Sequence, residues 1–242
     1  MNARKLVVSF VPMIILLSLA AAAQARSPTL QKKFEKRVQE YVATDLGQAP
    51  PRGAILFAGD SQFFRWSTIR EDLPGYTLVN RGIDSFQTDD LIRYADQLIT
   101  PYQPRLIVLH VGGNDVHNGK APAQLLADFK SLVAAVHAKL PGVRILWSSI
   151  TPGPGRWDEA PQRREANRVM QEYIATQADL GFIDLWDAML TPDGKPREDI
   201  WVADRVHPNH AGYLIRATIT QPFLGTPDRD SPTAQSPSRG PG

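Results

Sequence analysis

The stretch LFAGDSQFFRW, from Leu56 to Trp66, contains the change from strand to helix on which the fold depends. An apolar run ends at Gly59, and a helix-like segment begins with Ser61 almost directly after it. A short and continuous apolar run of this kind is typical of a strand buried on both faces of a sheet. A serine between such a strand and a helix can cap the helix by accepting a backbone N–H, or it can act as a nucleophile.

Five apolar segments alternate with helix-like segments along the chain, and this alternation predicts parallel βαβ units. The segments are AILFAG (54–59), YTLVNRG (76–82), RLIVLHVGG (105–113), VRILWSSI (143–150) and FIDLW (182–186). Because the strands are apolar throughout, helices are expected on both faces of the sheet. The predicted fold is therefore a three-layer α/β/α sandwich, flavodoxin-like, with a central parallel five-stranded sheet.

The N-terminus has the pattern of a secretory signal peptide. Arg4 and Lys5 precede a long apolar stretch, and the small-residue motif AQA ends at Ala25. This pattern predicts a signal peptide over residues 1–25 with cleavage after Ala25, and hence a secreted or periplasmic protein that meets the membrane only before cleavage. An uncleaved membrane anchor is the alternative, because the apolar run is close to spanning length.

The length and composition of the remaining chain limit the classes of protein to which it can belong. Residues 26–225 have the length of one domain, and residues 226–242 are rich in Pro, Ser and Gly, which predicts a disordered tail. The 27 basic and 25 acidic residues nearly balance, so nothing favours a nucleic-acid partner. The chain has no cysteine, which excludes disulfides, a cysteine nucleophile and thiolate metal sites.

Functional groups of open parallel sheets gather at the carboxyl ends of the strands, which directs attention to the loops there. A serine nucleophile also needs a base and an acid that orients the base. Asp204 and His207 in the late loop ADRVHPNH supply both, and Pro208 keeps His207 out of the following helix. A surface turn, or a metal site formed by Asp204, His207 and His210, is the alternative for this loop.

Acyl transfer also requires hydrogen-bond donors for the oxyanion that forms on the carbonyl oxygen. Gly82 follows a predicted strand and has no side chain to shield its N–H, while Asn114 offers a side-chain amide. Both residues also occur in ordinary turns, so neither is decisive alone. Their positions at two further strand ends, together with Ser61 and the His207 loop, favour one shared site.

The four blocks together resemble the SGNH hydrolase superfamily, also called GDSL-type esterases and lipases. The resemblance covers residues 53–224, and its blocks are AGDSQ, VNRGIDSFQT, VGGND and DRVHPNHAGY. It implies Ser61 as nucleophile, His207 as base and Asp204 as its orienting acid. It further implies an oxyanion hole formed by the N–H groups of Ser61 and Gly82 and the side-chain amide of Asn114.

The resemblance implies a serine esterase that acts on short acyl or acetyl esters through an acyl-enzyme, without cofactor or metal. Its expected partners are small-molecule or glycan esters. The position two after Ser61 is Phe63, which departs from the G-x-S-x-G elbow of α/β-hydrolases. A non-catalytic carbohydrate-binding or envelope protein of the same fold, or an acyltransferase acting on glycans, remains as an alternative function.

Overall fold

The computed structural model describes residues 26–228 of the chain. The predicted signal peptide, residues 1–25, and positions 229–242 of the predicted tail lie outside the described residues. Within the described range no helix is both long enough and apolar enough to cross a membrane.

A central sheet of five parallel strands confirms the predicted fold class. The strands are β1 (Ile55–Gly59), β2 (Leu78–Gly82), β3 (Leu106–His110), β4 (Arg144–Ser148) and β5 (Leu180–Ile183). They lie in the order β2-β1-β3-β4-β5. This order is the flavodoxin-like one, in which the connections run in opposite directions from β1 and β3 and leave a crevice between their carboxyl ends.

Eight α-helices connect and cover the strands of the described part of the chain. They are α1 (Pro28–Gly47), α2 (Ser61–Phe64), α3 (Ile69–Asp72), α4 (Thr88–Leu98), α5 (Gly113–His117), α6 (Pro122–Lys139), α7 (Ala160–Ile174) and α8 (His210–Thr220). Ser27 caps α1 by accepting the N–H of Leu30. The helix at Ser61 is only one turn long, so the chain leaves the sheet abruptly there.

The alternation of side chains along β1 divides the core into two apolar clusters. Leu56 and Ala58 belong to the cluster beneath α1, α4, α6 and α7, whereas Ile55 and Phe57 belong to the cluster beneath α3 and α8. All four side chains are fully buried. Both faces of the strand are therefore apolar because both are covered, which is why the sequence shows a continuous run.

The fifth strand lies slightly earlier than the sequence predicts. The sequence predicts this strand at 182–186, but β5 spans Leu180–Ile183, and Ile183 pairs with Ser148 at the end of β4. The carboxylate of Asp184 then accepts the N–H of Trp186 at 2.9 Å, which turns the chain out of the sheet. The apolar residues Leu185 and Trp186 are buried below the turn and do not extend the strand.

The start of the predicted tail is held against the body of the protein. The N–H of Asp228 donates to the carbonyl of Gly75 at 2.7 Å, and its carboxylate accepts the N–H of Thr77 at 2.6 Å. Arg105 adds a hydrogen bond to the other carboxylate oxygen at 3.3 Å. The contacts of the body therefore reach Asp228, three positions beyond the predicted boundary.

Candidate active site

Ser61 stands where β1 ends, in a turn that requires glycine before it. Gly59 has a φ of +155°, and a Cβ at this position would lie 1.9 Å from the carbonyl oxygen of His110. The cap of α2 is Asp60 and not Ser61, because the Asp60 carboxylate accepts the N–H of Gln62 at 2.9 Å. The capping interpretation of Ser61 is therefore wrong, and its hydroxyl is available for other contacts.

The Ser61 hydroxyl meets the predicted histidine. His207 Nε2 lies 2.7 Å from Ser61 Oγ, although the two residues are 146 positions apart. His207 Nδ1 lies 2.7 Å from Asp204 Oδ2. A carboxylate can only accept, so Nδ1 carries the proton and Nε2 is the nitrogen that accepts from the hydroxyl.

The loop before α8 fixes His207 outside the helix, as Pro208 predicts. The carbonyl of His207 accepts the N–H of Val202 at 2.9 Å. The helix begins only after Asn209, whose side chain accepts the N–H of Gly212 at 3.1 Å. The imidazole is thus set by an extended segment with its own hydrogen bonds, and its side chain is only 14% exposed.

The Asp204 carboxylate is held in its ionised form by its surroundings. Partial burial raises its pKa, but hydrogen bonds from the backbone N–H groups of His207 and Val206 and from the His207 ring lower the pKa to about 2. Arg65 approaches the same carboxylate at 3.4 Å and also pairs with Asp84 at 3.3 Å. Asp204 is therefore a permanent anion next to the imidazole at neutral pH.

Asn114 follows β3 and faces the same cavity as Ser61. One of its amide hydrogens is used, since Nδ2 donates to the carbonyl of Phe86 at 2.9 Å. This bond fixes the orientation of the amide and leaves its second hydrogen for a ligand. Asn114 thus offers an N–H donor to the cavity that Ser61 lines.

Gly82 does not reach this cavity, which corrects the prediction made for it. Its N–H donates to the side chain of Asn80 at 2.9 Å, and the residue is not part of the cavity wall. A Cβ on Gly82 would lie 2.2 Å from the backbone nitrogen of Phe64. The glycine is required because β2 and α2 pack backbone against backbone, and not because it offers a donor.

Ser85, three residues after Gly82, lies at the cavity with a backbone N–H that no described residue uses, unlike that of Gly82. It lines the cavity together with Ser61 and Asn114, and its φ is +70°, a conformation rare for residues other than glycine. Its N–H finds no hydrogen-bond partner among residues 26–228. The left-handed backbone is not readable from a serine in the sequence, so sequence reasoning missed this donor.

Buried polar groups support the site from below. Gln62 Nε2 donates to the carbonyl of Val206 at 3.1 Å, and its Oε1 accepts from Arg216 at 3.0 Å. The first bond ties the helix of Ser61 directly to the loop of His207, and the second holds the same Gln62 amide against a guanidinium that is fully buried. Burial lowers the pKa of Arg216 to about 10, so it remains a cation at neutral pH.

His110 is a buried histidine at the end of β3. Its Nδ1 lies 3.0 Å from Asp60 Oδ1, and the ring is 2% exposed. Complete burial lowers the pKa of His110, while the nearby Asp60 opposes that shift. Its Nε2 has no hydrogen-bond partner in the described structure.

The metal-site alternative for the last loop has no geometric support. His210 Nε2 lies 2.9 Å from Asp72 and is not directed at Asp204. Both ring nitrogens of His207 are engaged by Ser61 and Asp204. Over residues 26–228, no group of three or more His, Asp or Glu side chains is placed to hold a metal ion.

At the carboxyl edge of this doubly wound sheet, a serine contacts a histidine, and the histidine contacts an aspartate. This arrangement is typical of serine hydrolases. The model of the GDSL-like Lipase/Acylhydrolase family matches residues 44–215. The chain belongs to this family and is a serine ester hydrolase. The resemblance inferred from the four blocks is thereby confirmed.

Solved structures share the fold at low sequence identity. A Streptococcus pneumonia protein provisionally described as a platelet activating factor is 23% identical, covers 81% of this chain and 94% of its own, and gives a TM-score of 0.72. A GDSL-like lipase from Bacteroides thetaiotaomicron is 18% identical, covers 77% and 96%, and gives 0.67. A carbohydrate esterase family 3 protein from Talaromyces cellulolyticus is 18% identical, covers 70% and 95%, and gives 0.58. None of the curated proteins matches the chain significantly.

The lowered pKa of Asp204 predicts how the Asp204→Asn variant changes stability with pH. The folded pKa of about 2 lies below the ordinary value of 3.8, so the carboxylate stabilises the folded state above about pH 4. That contribution is lost as the pH falls towards 2. Urea unfolding between pH 7 and about pH 2.5 is expected to show the free energy of unfolding falling more steeply for wild type than for Asp204→Asn.

Asp158→Asn is the matched control, because Asp158 is exposed and makes no hydrogen bond or ion pair through its side chain with residues 26–228. It should leave the pH dependence as in wild type. A constant stability difference between Asp204→Asn and wild type over the whole pH range would contradict the assignment.

Proposed function

We propose that this family member is an exported esterase that cleaves short acyl or acetyl esters through a Ser61–His207–Asp204 mechanism. The observation that carries the proposal is the pair of 2.7 Å contacts that link Ser61 Oγ, the imidazole and the Asp204 carboxylate. A hydroxyl, a base and an orienting anion in this order are the elements required for nucleophilic catalysis by serine.

The reaction proceeds in two halves through a covalent acyl-enzyme. Ser61 Oγ attacks the carbonyl carbon while His207 Nε2 takes the hydroxyl proton, and the tetrahedral intermediate collapses when that proton is given to the leaving alcohol. Water then attacks the acyl group, losing a proton to His207, and the carboxylic acid leaves as the proton returns to Ser61 Oγ. Asp204 stabilises the imidazolium in both halves without changing its own protonation.

Three N–H donors are proposed for the oxyanion: the Asn114 side-chain amide and the backbone N–H groups of Ser61 and Ser85. The support is that all three residues line one cavity of about 350 Å³ and that the Ser85 N–H has no partner within residues 26–228. Donors fixed by the protein before the reaction stabilise developing charge without reorganisation.

The lining of this cavity favours a small or polar acyl group. Its wall is formed largely by charged and hydroxyl-bearing side chains, and Ile150 and Val206 are its main apolar members. A long alkyl chain would gain little here, because burial is favourable only against apolar surface. Acetyl and other short esters of small alcohols or glycans are therefore the proposed substrates.

Removal of the nucleophile should abolish hydrolysis. We expect Ser61→Ala to lower kcat on a short-chain 4-nitrophenyl ester by a factor on the order of 10⁴ or more, because the acyl-enzyme can no longer form. Ester hydrolysis is followed by absorbance, and a fluorophosphonate probe should label wild type and not the variant. Activity of Ser61→Ala within about threefold of wild type would remove Ser61 from this role.

Loss of the Asn114 amide should weaken stabilisation of the transition state more than binding of the substrate. Asn114→Ala is expected to lower kcat by about 10²–10³ with a much smaller change in KM. Ser85→Gly serves as the control, since it keeps the backbone N–H and suits the positive φ. An equal loss of kcat in both variants would speak for general disturbance of the cavity and against a donor role for Asn114.

Export is proposed from the N-terminal sequence pattern alone. Arg4, Lys5, the apolar stretch and the AQA motif support cleavage after Ala25. N-terminal sequencing of the protein recovered from the periplasm or medium of an expressing bacterium should therefore begin at Arg26. Recovery with Met1 intact would overturn the proposed cleavage.

A further inference from the structure

A second cavity adjoins the candidate active site. It has a volume of about 530 Å³ and shares three residues with the first cavity: Ser85, Asn114 and Arg156. Two of these, Ser85 and Asn114, are proposed oxyanion donors. An ester whose carbonyl oxygen lies at these donors can therefore extend a part of itself into the second cavity.

The two cavities differ in charge. The first cavity is lined by charges of both signs, namely the carboxylates of Asp60, Asp84 and Asp204 and the guanidinium groups of Arg65, Arg156 and Arg163. The second cavity is lined by the basic residues Arg26, His117 and Arg156 and by no Asp or Glu. A negatively charged part of a substrate meets no acidic side chain on the wall of the second cavity, whereas in the first cavity it would lie among carboxylates as well as guanidinium groups.

Two of the three basic residues of the second cavity are already paired. Arg26 donates to Asp89 at 2.7 Å and to Asp90 at 3.0 Å. His117 Nδ1 lies 2.6 Å from Glu159. Both side chains are thus already engaged by carboxylates.

Arg156 is different, because its guanidinium makes no hydrogen bond with any of residues 26–228. The closest carboxylate oxygen belongs to Glu159, at 3.8 Å from Arg156 Nε. Glu159 is already engaged, since it accepts from Arg163 at 2.7 Å and bonds to His117. A guanidinium that is 34% exposed at the junction of two cavities is thus left with its donors free.

The backbone at Arg156 is held close to the loop that carries the histidine. The N–H of Gly155 donates to the carbonyl of Arg205 at 2.8 Å, and the N–H of Arg156 donates to Gly153 at 2.9 Å. A Cβ on Gly155 would lie 2.9 Å from the carbonyl oxygen of Asp204. The guanidinium therefore projects from a segment that is packed on the Asp204–His207 loop.

We propose that Arg156 binds a carboxylate or phosphate group of the ester substrate, so that this enzyme prefers anionic esters over neutral ones. The proposal rests on the proposed esterase function. A guanidinium presents parallel N–H donors that match the oxygens of either group, and its charge is permanent. Arg156 is then a specificity-determining residue that binds a part of the substrate remote from the reacting bond.

The test compares kcat/KM for two matched pairs of esters. Monomethyl succinate and methyl pentanoate place the anion or its neutral counterpart on the acyl side. Acetylglycerol phosphate and acetylglycerol place it on the alcohol side. The measured quantity is the ratio of kcat/KM for the anionic ester to that for its neutral partner, which identifies the side that carries the charge.

In wild type at least one pair should give a ratio above one, and Arg156→Gln should lower that ratio by about 10- to 100-fold, since a charge-assisted hydrogen bond is lost. Arg156→Lys should retain part of the preference, because the charge stays and the paired geometry is lost.

Arg168→Gln is the matched control. Arg168 is an exposed residue of α7 that pairs with Glu165 and Glu172 and lines neither cavity, so its loss changes the net charge equally.

Ratios near one in wild type for both pairs, or an equal drop in Arg168→Gln, would overturn the proposal. Failure of the esterase function gives a separate result, namely no Ser61-dependent hydrolysis of any of the four esters. Circular dichroism and the Tm of each variant show whether a lost ratio reflects a lost fold, and Arg156→Lys supplies a second variant if Arg156→Gln is unstable.

Discussion

The register of β1 against its two neighbours is the constraint on which the site depends. Gly59 pairs with Gly82 of β2 on one side and with His110 of β3 on the other, so all three strands end at the same level. Because Gly59 has no Cβ, the chain can pass within contact distance of the His110 carbonyl and turn at once into α2. A one-residue slip would exchange the two faces of β1 and move Ser61 away from the crevice.

In addition to this strand register, the site depends on buried polar side chains, which are costly to remove from water. Arg216 is fully buried and forms no ion pair with a carboxylate of residues 26–228, which is unfavourable for stability. Its hydrogen bonds to Gln62 and Ser148 offset part of that cost. The arrangement instead positions the His207 loop, since Gln62 also donates to the carbonyl of Val206, the residue before His207.

The sequence was sufficient for the sheet and for the serine, histidine and aspartate, because these follow from patterns that are local. Continuous apolar runs mark the strands, and Pro208 marks the start of α8. It was insufficient for the proposed oxyanion donors. The backbone of Gly82 packs closely against α2, whereas Ser85 has a positive φ. Neither property can be predicted from the residue type alone. The cap of α2 could not be decided from the sequence for a similar reason, since Asp60 and Ser61 are both good caps and only the turn decides between them.

Arg156 lines the same two cavities as the proposed oxyanion donors Asn114 and Ser85, and this bears on the proposed catalysis. Gly155 is bonded to the loop of the histidine, while Asn114 and Ser85 line both cavities. A charged group held by Arg156 would restrict rotation of the whole ester and keep its carbonyl oxygen near the donors. Binding energy gained away from the reacting bond would then be used for orientation, which lowers the barrier only if the connection is rigid. The segment that carries Arg156 is a 3₁₀ helix, Pro154–Glu159, and its packing on the Asp204–His207 segment would supply such a connection.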